Sequence, residues 1–321
     1  MGRTTRRPPG FPSGGFLNEG QAISMTPPRL SAVLVSWNRR AYLEKAIQSL
    51  LDQQYGDLEI IVVDNGSTDD SLPWLRSRGD LRLIENATNL GAAAARNQGL
   101  RAATGVYALF MDSDAELRTP GALRSLVRYL EDHPQTAGAA GVYYSDEEMR
   151  QLWCWSPCMD WTGNHDPAAS LAAKPDPPVL STCFSLYRIS ALREIGGFDE
   201  YFFYLYEDAD LCERLRKRGY GLHVDPAVKI LHHYAEPGRT PRGKIEFHYY
   251  HERLRMNFVL KNWGLRRFLW TQWNILGSPL AFLRRFPYLG WGNFLNIYLL
   301  CGLYYVGRYV MVVRNREKKW I

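Results

Sequence analysis

Read for hydrophobic periodicity, the chain alternates short apolar runs with segments of helical spacing. Residues 30–36 form an apolar, β-rich run, and 39–51 follows with Leu43, Ala46, Ile47 and Leu50 on one helix face. A second buried strand is expected over 58–63, stopping at the turn cluster Asp64-Asn65-Gly66-Ser67. A short helix over 69–78, a strand over 81–85 and an Ala-rich helix over 91–103 come next, and Gly105 breaks the pattern. The run over 107–117 is long enough for a strand covered on both faces, and it ends in two carboxylates one residue apart, Asp112 and Asp114. Further elements are expected at 121–131 (helix), 138–144 (strand), 180–188 (strand), 208–218 (helix) and 227–231 (strand). Alternating strands and helices of this length imply an α/β fold, Rossmann-like, with a mainly parallel central sheet flanked by helices.

Candidate chemistry clusters where apolar runs stop. Open α/β sheets bind ligands in the crevice at the carboxyl ends of their strands. If the strand runs through Asp114, both carboxylates face one side and could hold a hard cation such as Mg²⁺ or Mn²⁺. A solvated turn explains Asp-x-Asp equally well on the pattern alone. Glu207, Asp208 and Asp210 open a helical segment, where acidic residues often complement the helix dipole. The chemical alternative is that one of them is a general base toward a hydroxyl. His232, after the last apolar run, is either a packed histidine or a further metal ligand. No dinucleotide glycine fingerprint, phosphate-loop Lys, Gly-x-Ser-x-Gly or Cys/His arrangement occurs, which disfavours a nicotinamide-dependent oxidoreductase and nucleophilic catalysis.

Charge sharpens this division. The net charge of +6 splits into +12 from Lys229 onward (16 Lys/Arg against 4 Asp/Glu) and −6 before it. The acidic part suits metal chemistry, and the basic part suits phosphates or an anionic membrane. Aromatics crowded among aliphatics there point to lipid rather than nucleic acid. Five cysteines without zinc spacing fit a reducing compartment. Residues 1–28 carry Arg, Pro, Gly and Ser without the apolar core of a signal peptide, so a disordered basic tail and a cytoplasmic setting are expected. Residues 145–178 lack periodicity and hold Trp153, Trp155 and Trp161; they either contact an acceptor or are an insertion packed down by its tryptophans. Residues 235–245, with Arg239, Arg242 and Lys244, read as a basic lid or a solvated loop. An amphipathic helix is expected at 247–263, followed by aromatic-rich segments at 268–283 and 288–313 flanked by basic residues. This extension reads as membrane-associating through interfacial helices, or as a helical cap on the catalytic domain or on a partner subunit.

Six segments, in order, carry a resemblance. They are Val-Ser-Trp-Asn-Arg at 35–39, Ile-Ile-Val-Val-Asp-Asn-Gly-Ser-Thr-Asp-Asp at 60–70 and Asn-Leu-Gly-Ala-Ala-Ala-Ala-Arg-Asn-Gln-Gly at 89–99. Met-Asp-Ser-Asp-Ala at 111–115, Gly-Gly-Phe-Asp-Glu at 196–200 and Tyr-Glu-Asp-Ala-Asp-Leu-Cys-Glu-Arg at 206–214 complete the set. The chain resembles the inverting, nucleotide-sugar-dependent glycosyltransferases of family 2, within them the rhamnosyltransferase-like branch. The resemblance implies a GT-A catalytic domain over 29–246 with the helical extension over 247–321. It implies that Asp64 meets the donor's base, with Ser36, Asn65 and Ser113 in the same pocket, and that Arg96 lies beside the diphosphate. Asp112 would reach the ribose or the metal, Asp114 and His232 would bind the metal, and Asp208 would be the base. The donor would be a dTDP- or UDP-sugar and the acceptor a glycan or lipid-linked glycan in polysaccharide or cell-envelope biosynthesis. Peripheral attachment to the inner face of the cell membrane is expected, and self-association stays open. The Gln-x-x-Arg-Trp motif of processive members is missing at Gln272-Trp-Asn-Ile-Leu, so addition of one or a few sugars is expected. A non-catalytic nucleotide-sugar-binding or scaffold member of a membrane glycan-assembly complex is the rival reading.

Overall fold

The computed structural model describes residues 27–160, 163–164, 170, 177–233, 244–277, 279–285, 290–300 and 302. Its framework is β1 (Leu30–Ser36), α1 (Arg40–Leu51), β2 (Leu58–Asp64), α2 (Ser71–Arg76), β3 (Arg82–Glu85), α3 (Ala92–Ala102) and β4 (Tyr107–Asp112). There follow β5 (Ala115–Leu117), α4 (Ala122–Asp132), β6 (Thr136–Tyr144), β7 (Leu152–Cys154), β8 (Phe184–Arg188), α5 (Ile189–Ile195), α6 (Glu207–Lys217) and β9 (Gly221–His232). The helices α7 (Lys244–Gly277), α8 (Pro279–Arg285) and α9 (Gly290–Leu295) complete the described chain, with a π-helical turn at Asn296–Leu300.

One sheet runs in the order β3-β2-β1-β4-β8-β6-β9-β5, with β7 added to β6. Strands β3, β2, β1 and β4 are parallel neighbours. Alternate residues along them enter two cores: Val33, Ile61 and Phe110 face α3, while Ala32, Leu34, Val62 and Leu109 face α1 and α4. Cover on both faces explains why these strands read as continuous apolar runs. The other half is mixed: β6 and β9 are parallel, whereas β8 is antiparallel to both β4 and β6, and β5 is antiparallel to β9. The expected strand through Asp114 also ends sooner: β4 stops at Asp112, and Ser113-Asp114 turn the chain into β5. Asp112 therefore ends the strand and Asp114 sits on the turn after it, so the two do not line one strand face.

The helix expected at 247–263 is present but is not amphipathic, since residues 254–262 are buried all round. Its polar side chains point inward and are paired. Glu252 binds Arg255 at 2.7 Å. Lys261 bridges Asp199 at 2.6 Å and Asp210 at 2.7 Å, and Asn262 donates to Asp210 at 2.8 Å. Arg255 and Asp210 keep their charge because each has an opposite charge in contact. Leu254, Phe258 and Leu260 join the core that holds Phe198, Phe202 and Tyr206, so this half of α7 caps the catalytic sheet. At Gly264 the backbone swings to φ 85° and the helical run kinks. Beyond the kink Leu269, Trp270, Trp273 and Leu280 are exposed, with Trp273 at 77%. No helix among the described residues is long and apolar enough to cross a membrane. The tail over 1–26, most of the lid at 235–245 and the stretch beyond 302 lie outside the described residues.

Candidate active site

The carboxyl ends of β1, β2 and β4 meet in register: Ser36 pairs with Asp64 and Val35 with Asp112. Asp64 Oδ1 accepts the Ser67 amide at 2.9 Å, which fixes the carboxylate in its turn. Its Oδ2, with Ser36 Oγ and Ser113 Oγ, is buried without a hydrogen-bond partner among the described residues. An orphaned buried polar atom costs about 1–3 kcal/mol, so three on adjacent strand ends mark a place built for a ligand with donors and acceptors of its own. Asn65 is different. Its amide holds Asn89 (2.9 Å), Asn86 (3.1 Å) and the Leu90 N–H (3.0 Å), so it shapes the pocket wall rather than offering a free group.

Arg96, at the buried face of α3, donates to Asp112 Oδ1 and to Glu207 Oε1, each at 2.8 Å. It stands in this pocket as expected, but its present partners are the two carboxylates. They hold the guanidinium firmly protonated against the cost of burial. Asp114, on the turn after β4, pairs with Arg39, and its Oδ1 lies 3.6 Å from His232 Nε2. His232 arrives from the end of β9, whose pairing with β5 (His232 opposite Ala115) brings it beside the turn. Trp153 of β7 tilts against the His232 ring at 4.8 Å between centroids, so the irregular segment does reach the site. The neighbouring Cys183 thiol is buried, and burial together with Asp112 and Asp114 pushes its pKa well up. Asp112, Asp114 and His232 thus converge, and a carboxylate–carboxylate–imidazole set suits a divalent cation of the Mn²⁺ or Mg²⁺ kind. Arg39 was visible only as part of a motif, without a signal for its ion pair to Asp114.

The three acidic residues that open α6 separate by partner. Glu207 binds Arg96, while Asp210 is fully buried on Lys261, Arg214 and Asn262, which hold its carboxyl well below the usual range. Asp208 keeps only the Ala209 amide, at 2.7 Å, and a partly exposed surface. Burial, then the charge of Glu207, pushes its pKa up to about 7. Leu205 and Tyr206, just before it, both have positive φ, 73° and 68°. Such backbone costs on the order of 1–3 kcal/mol per residue and here fixes the direction in which α6 starts. A Cβ at Gly197 would sit 2.7 Å from Asn97 Oδ1, so the glycine makes room for Asn97, which clamps the backbone of Phe198 at 2.9 Å.

Comparison with known proteins agrees with this geometry. The profile described as "Glycosyl transferase family 2" matches residues 31–196, about half the chain. The chain is 36% identical over 113 residues to an uncharacterized glycosyltransferase of Haemophilus influenzae, covering 34% of this chain and 45% of that protein. It is 28% identical over 255 residues to an N-acetylglucosaminyl-diphospho-decaprenol L-rhamnosyltransferase of Mycobacterium tuberculosis, covering 68% of this chain and 81% of that one. Alignment with the two Haemophilus relatives spans less than half of their lengths, 45% and 43%. Among solved structures, the mannosyltransferase PcManGT of Pyrobaculum calidifontis, in complex with GDP-Man and Mn²⁺, superposes with a TM-score of 0.54 at 18% identity, covering 92% of this chain and 90% of that one. GalNAc-T7 with UDP, GalNAc and Mn²⁺ gives 0.56 at 15% identity, covering 74% of this chain and 51% of that one. Those two share the GT-A fold with this protein. The strand-end pocket, the paired aspartates and the matching profile together make the chain a member of glycosyl transferase family 2.

Proposed function

We propose that the protein transfers a sugar from a nucleoside-diphosphate sugar to a hydroxyl of a glycan or lipid-linked glycan, with inversion at the anomeric carbon and without processivity. The observation that carries this reading is the set of unpartnered polar atoms of Ser36, Asp64 and Ser113 on adjacent strand ends, beside the Arg96–Asp112 and Arg39–Asp114 pairs. Asp64 would accept from the donor's base, with Ser36 and Ser113 completing the pocket. Asp112, Asp114 and His232 would hold a divalent cation, which when bound offsets the charge gathering on the leaving diphosphate. Arg96 lies within the same cluster and can exchange a carboxylate for a phosphate oxygen without losing its charge balance. Asp208 takes the acceptor's proton as its oxygen attacks from the opposite face. Trp153 offers a partly exposed aromatic face to a sugar ring, which would also help exclude water. The relative named as a rhamnosyltransferase acting on a lipid-linked diphosphate supports a lipid-linked acceptor. We infer a dTDP-sugar donor from the family resemblance, with UDP-sugars as the alternative.

A thermal-shift series with UDP, dTDP, GDP and NAD, each with and without Mn²⁺, tests the donor site. A ligand at about a hundred times its dissociation constant adds about 2.7 kcal/mol of stability. One diphosphate is expected to stabilise only with Mn²⁺, an effect lost in Asp114→Ala and kept in Asp208→Asn. Stabilisation without any transfer to acceptor lipids would instead favour the scaffold reading.

The exposed stripe beyond the Gly264 kink gives the membrane reading its physical form. Arg266, Trp270, Trp273, Leu280 and Arg284 recur at helical spacing and are all exposed. Tryptophan flanked by arginine suits the headgroup level of an anionic leaflet. We place the enzyme there, on the cytoplasmic side of the cell membrane. Sedimentation with phosphatidylglycerol-containing vesicles should capture the protein at low salt, and Trp270→Ser with Trp273→Ser should release most of it. Equal capture of both proteins would remove the stripe from the binding surface.

A further inference from the structure

The rung of the sheet next to the metal site holds a thiol that the family reading does not use. Met111 of β4 lies opposite Phe184 of β8, and the Asp112 amide donates to the Cys183 carbonyl at 3.0 Å. The next antiparallel rung therefore places Asp112 and Cys183 opposite each other, with side chains on one face and Cβ atoms about 5 Å apart. His232 closes the group. One ligand atom each from Asp112, Cys183 and His232 lies within 4.8 Å of the others. The remaining described cysteines use their sulfur in hydrogen bonds: Cys154 toward Ser170 O, Cys158 toward Ser156 O, and Cys212 toward Leu180 O and the Tyr187 hydroxyl. Cys183 Sγ has no such bond among the described residues, and although its residue belongs to the apolar core, a carboxylate and an imidazole lie within reach of it.

The geometry points to Cys183 as a further protein ligand, beside Asp112 and His232, of a divalent-cation site whose mixed O, N, S donors favour Zn²⁺ and Co²⁺ over Mg²⁺. This rests on the proposed metal role of Asp112 and His232. The chemistry follows from ligand softness. Carboxylate oxygen suits Mg²⁺ and Mn²⁺, imidazole suits Zn²⁺ and its neighbours, and a thiolate adds affinity only for the thiophilic ions. The donors stand at the end of β4, on the residue before β8 and at the end of β9, all held by one sheet, so little reorganisation is needed to bring them onto an ion. Cys183 and His232 are buried and Asp112 is partly exposed, so a diphosphate or water would complete the shell from the Asp112 side.

Titration of the full-length protein with Co²⁺ tests the assignment, because a thiolate ligand adds a near-ultraviolet charge-transfer band that oxygen and nitrogen ligands do not. Wild type should develop this band with one equivalent of Co²⁺. Zn²⁺ should abolish it and a large excess of Mg²⁺ should not. Cys183→Ser should bind Co²⁺ without the band and bind Zn²⁺ about tenfold more weakly. Wild type alone decides the main point if the variant folds poorly. Co²⁺ binding without the band, in protein whose diphosphate binding is metal-dependent, would overturn the thiol ligand and leave the metal reading standing. Diphosphate binding indifferent to Mn²⁺ and Co²⁺ would overturn that reading, and a band that persists in Cys183→Ser would assign the sulfur elsewhere.

Discussion

Asp208→Asn is expected to lower sugar transfer by about 10²–10⁴-fold while the metal-dependent thermal shift with donor nucleotide stays intact. The substitution keeps the shape of the side chain and removes only its ability to take a proton. In wild type, kcat/KM should rise with pH through about 7 and level off above it, because burial and Glu207 push the Asp208 carboxyl up to about 7 and only its ionised form is a base. The raised pKa also has a stability consequence of definite sign. An acid raised from 3.8 to about 7 binds its proton more tightly in the folded chain, so stability is favoured at low pH and falls as pH rises across that interval. Every tenfold gain in proton affinity on folding corresponds to about 1.4 kcal/mol, so Asp208→Asn should be more stable than wild type at pH 8, with the gap narrowing toward pH 4. Melting temperatures of the two proteins across that range measure it, and parallel curves would place the titration in another group. Undiminished transfer would remove Asp208 from the base role.

The second large effect is on the fold. Lys261→Ala should cost about 3–5 kcal/mol in urea unfolding, since it leaves the buried Asp199 and Asp210 carboxylates without the ammonium between them. Lys261 also lies 5.5 Å over the Phe202 ring. Lys261→Met retains that packing, and it should still lose most of the stability because the charge is what the carboxylates require. A loss under about 1 kcal/mol in both variants would show that Arg214 and Asn262 suffice for Asp210. The outcome also bears on where the catalytic unit ends. A boundary at residue 246, natural from the sequence, would remove the lysine that neutralises α6.

Much of the framework was legible because its signals are local. β1, β2 and the helix after each show their periods directly, and the turn at Asp64–Ser67 carries its own residues. The acidic opening of α6 was also visible, and its three carboxylates could be named but not told apart. What separates them is long-range: Arg96 comes from α3 to Glu207, and Lys261 from α7 to Asp210. The three-residue strands β5 and β7 are too short to show a period, and the antiparallel course of β8 leaves no mark on its own residues. The amphipathic expectation for 247–263 failed for a related reason. Glu252 and Arg255 stand three apart, so their pairing is local, but their burial is not visible in the spacing, and Lys261 meets Asp199 and Asp210 from other parts of the chain, which spacing along one helix does not reveal. Of the proposed donor-site residues, Asp64, Ser36 and Ser113 carry unpartnered atoms, whereas the amide of Asn65 is committed to the protein itself.

The β5–β9 pairing also bears on how the chain folds. His233 and Glu116 touch across 117 positions of sequence, and Asp114 meets His232 only when β9 has docked beside β5. Contacts of such separation form late, after the entropy of closing a long loop has been met by other elements. The β1–β4 half can assemble from near neighbours as the chain leaves the ribosome. Its nucleotide-facing pocket, with Asp112 at the end of β4, would then exist before His232 joins it. Under the proposed roles the cation set would be completed only when β9 docks, so a chain synthesised as far as β4 would lack the full set of ligands for the ion.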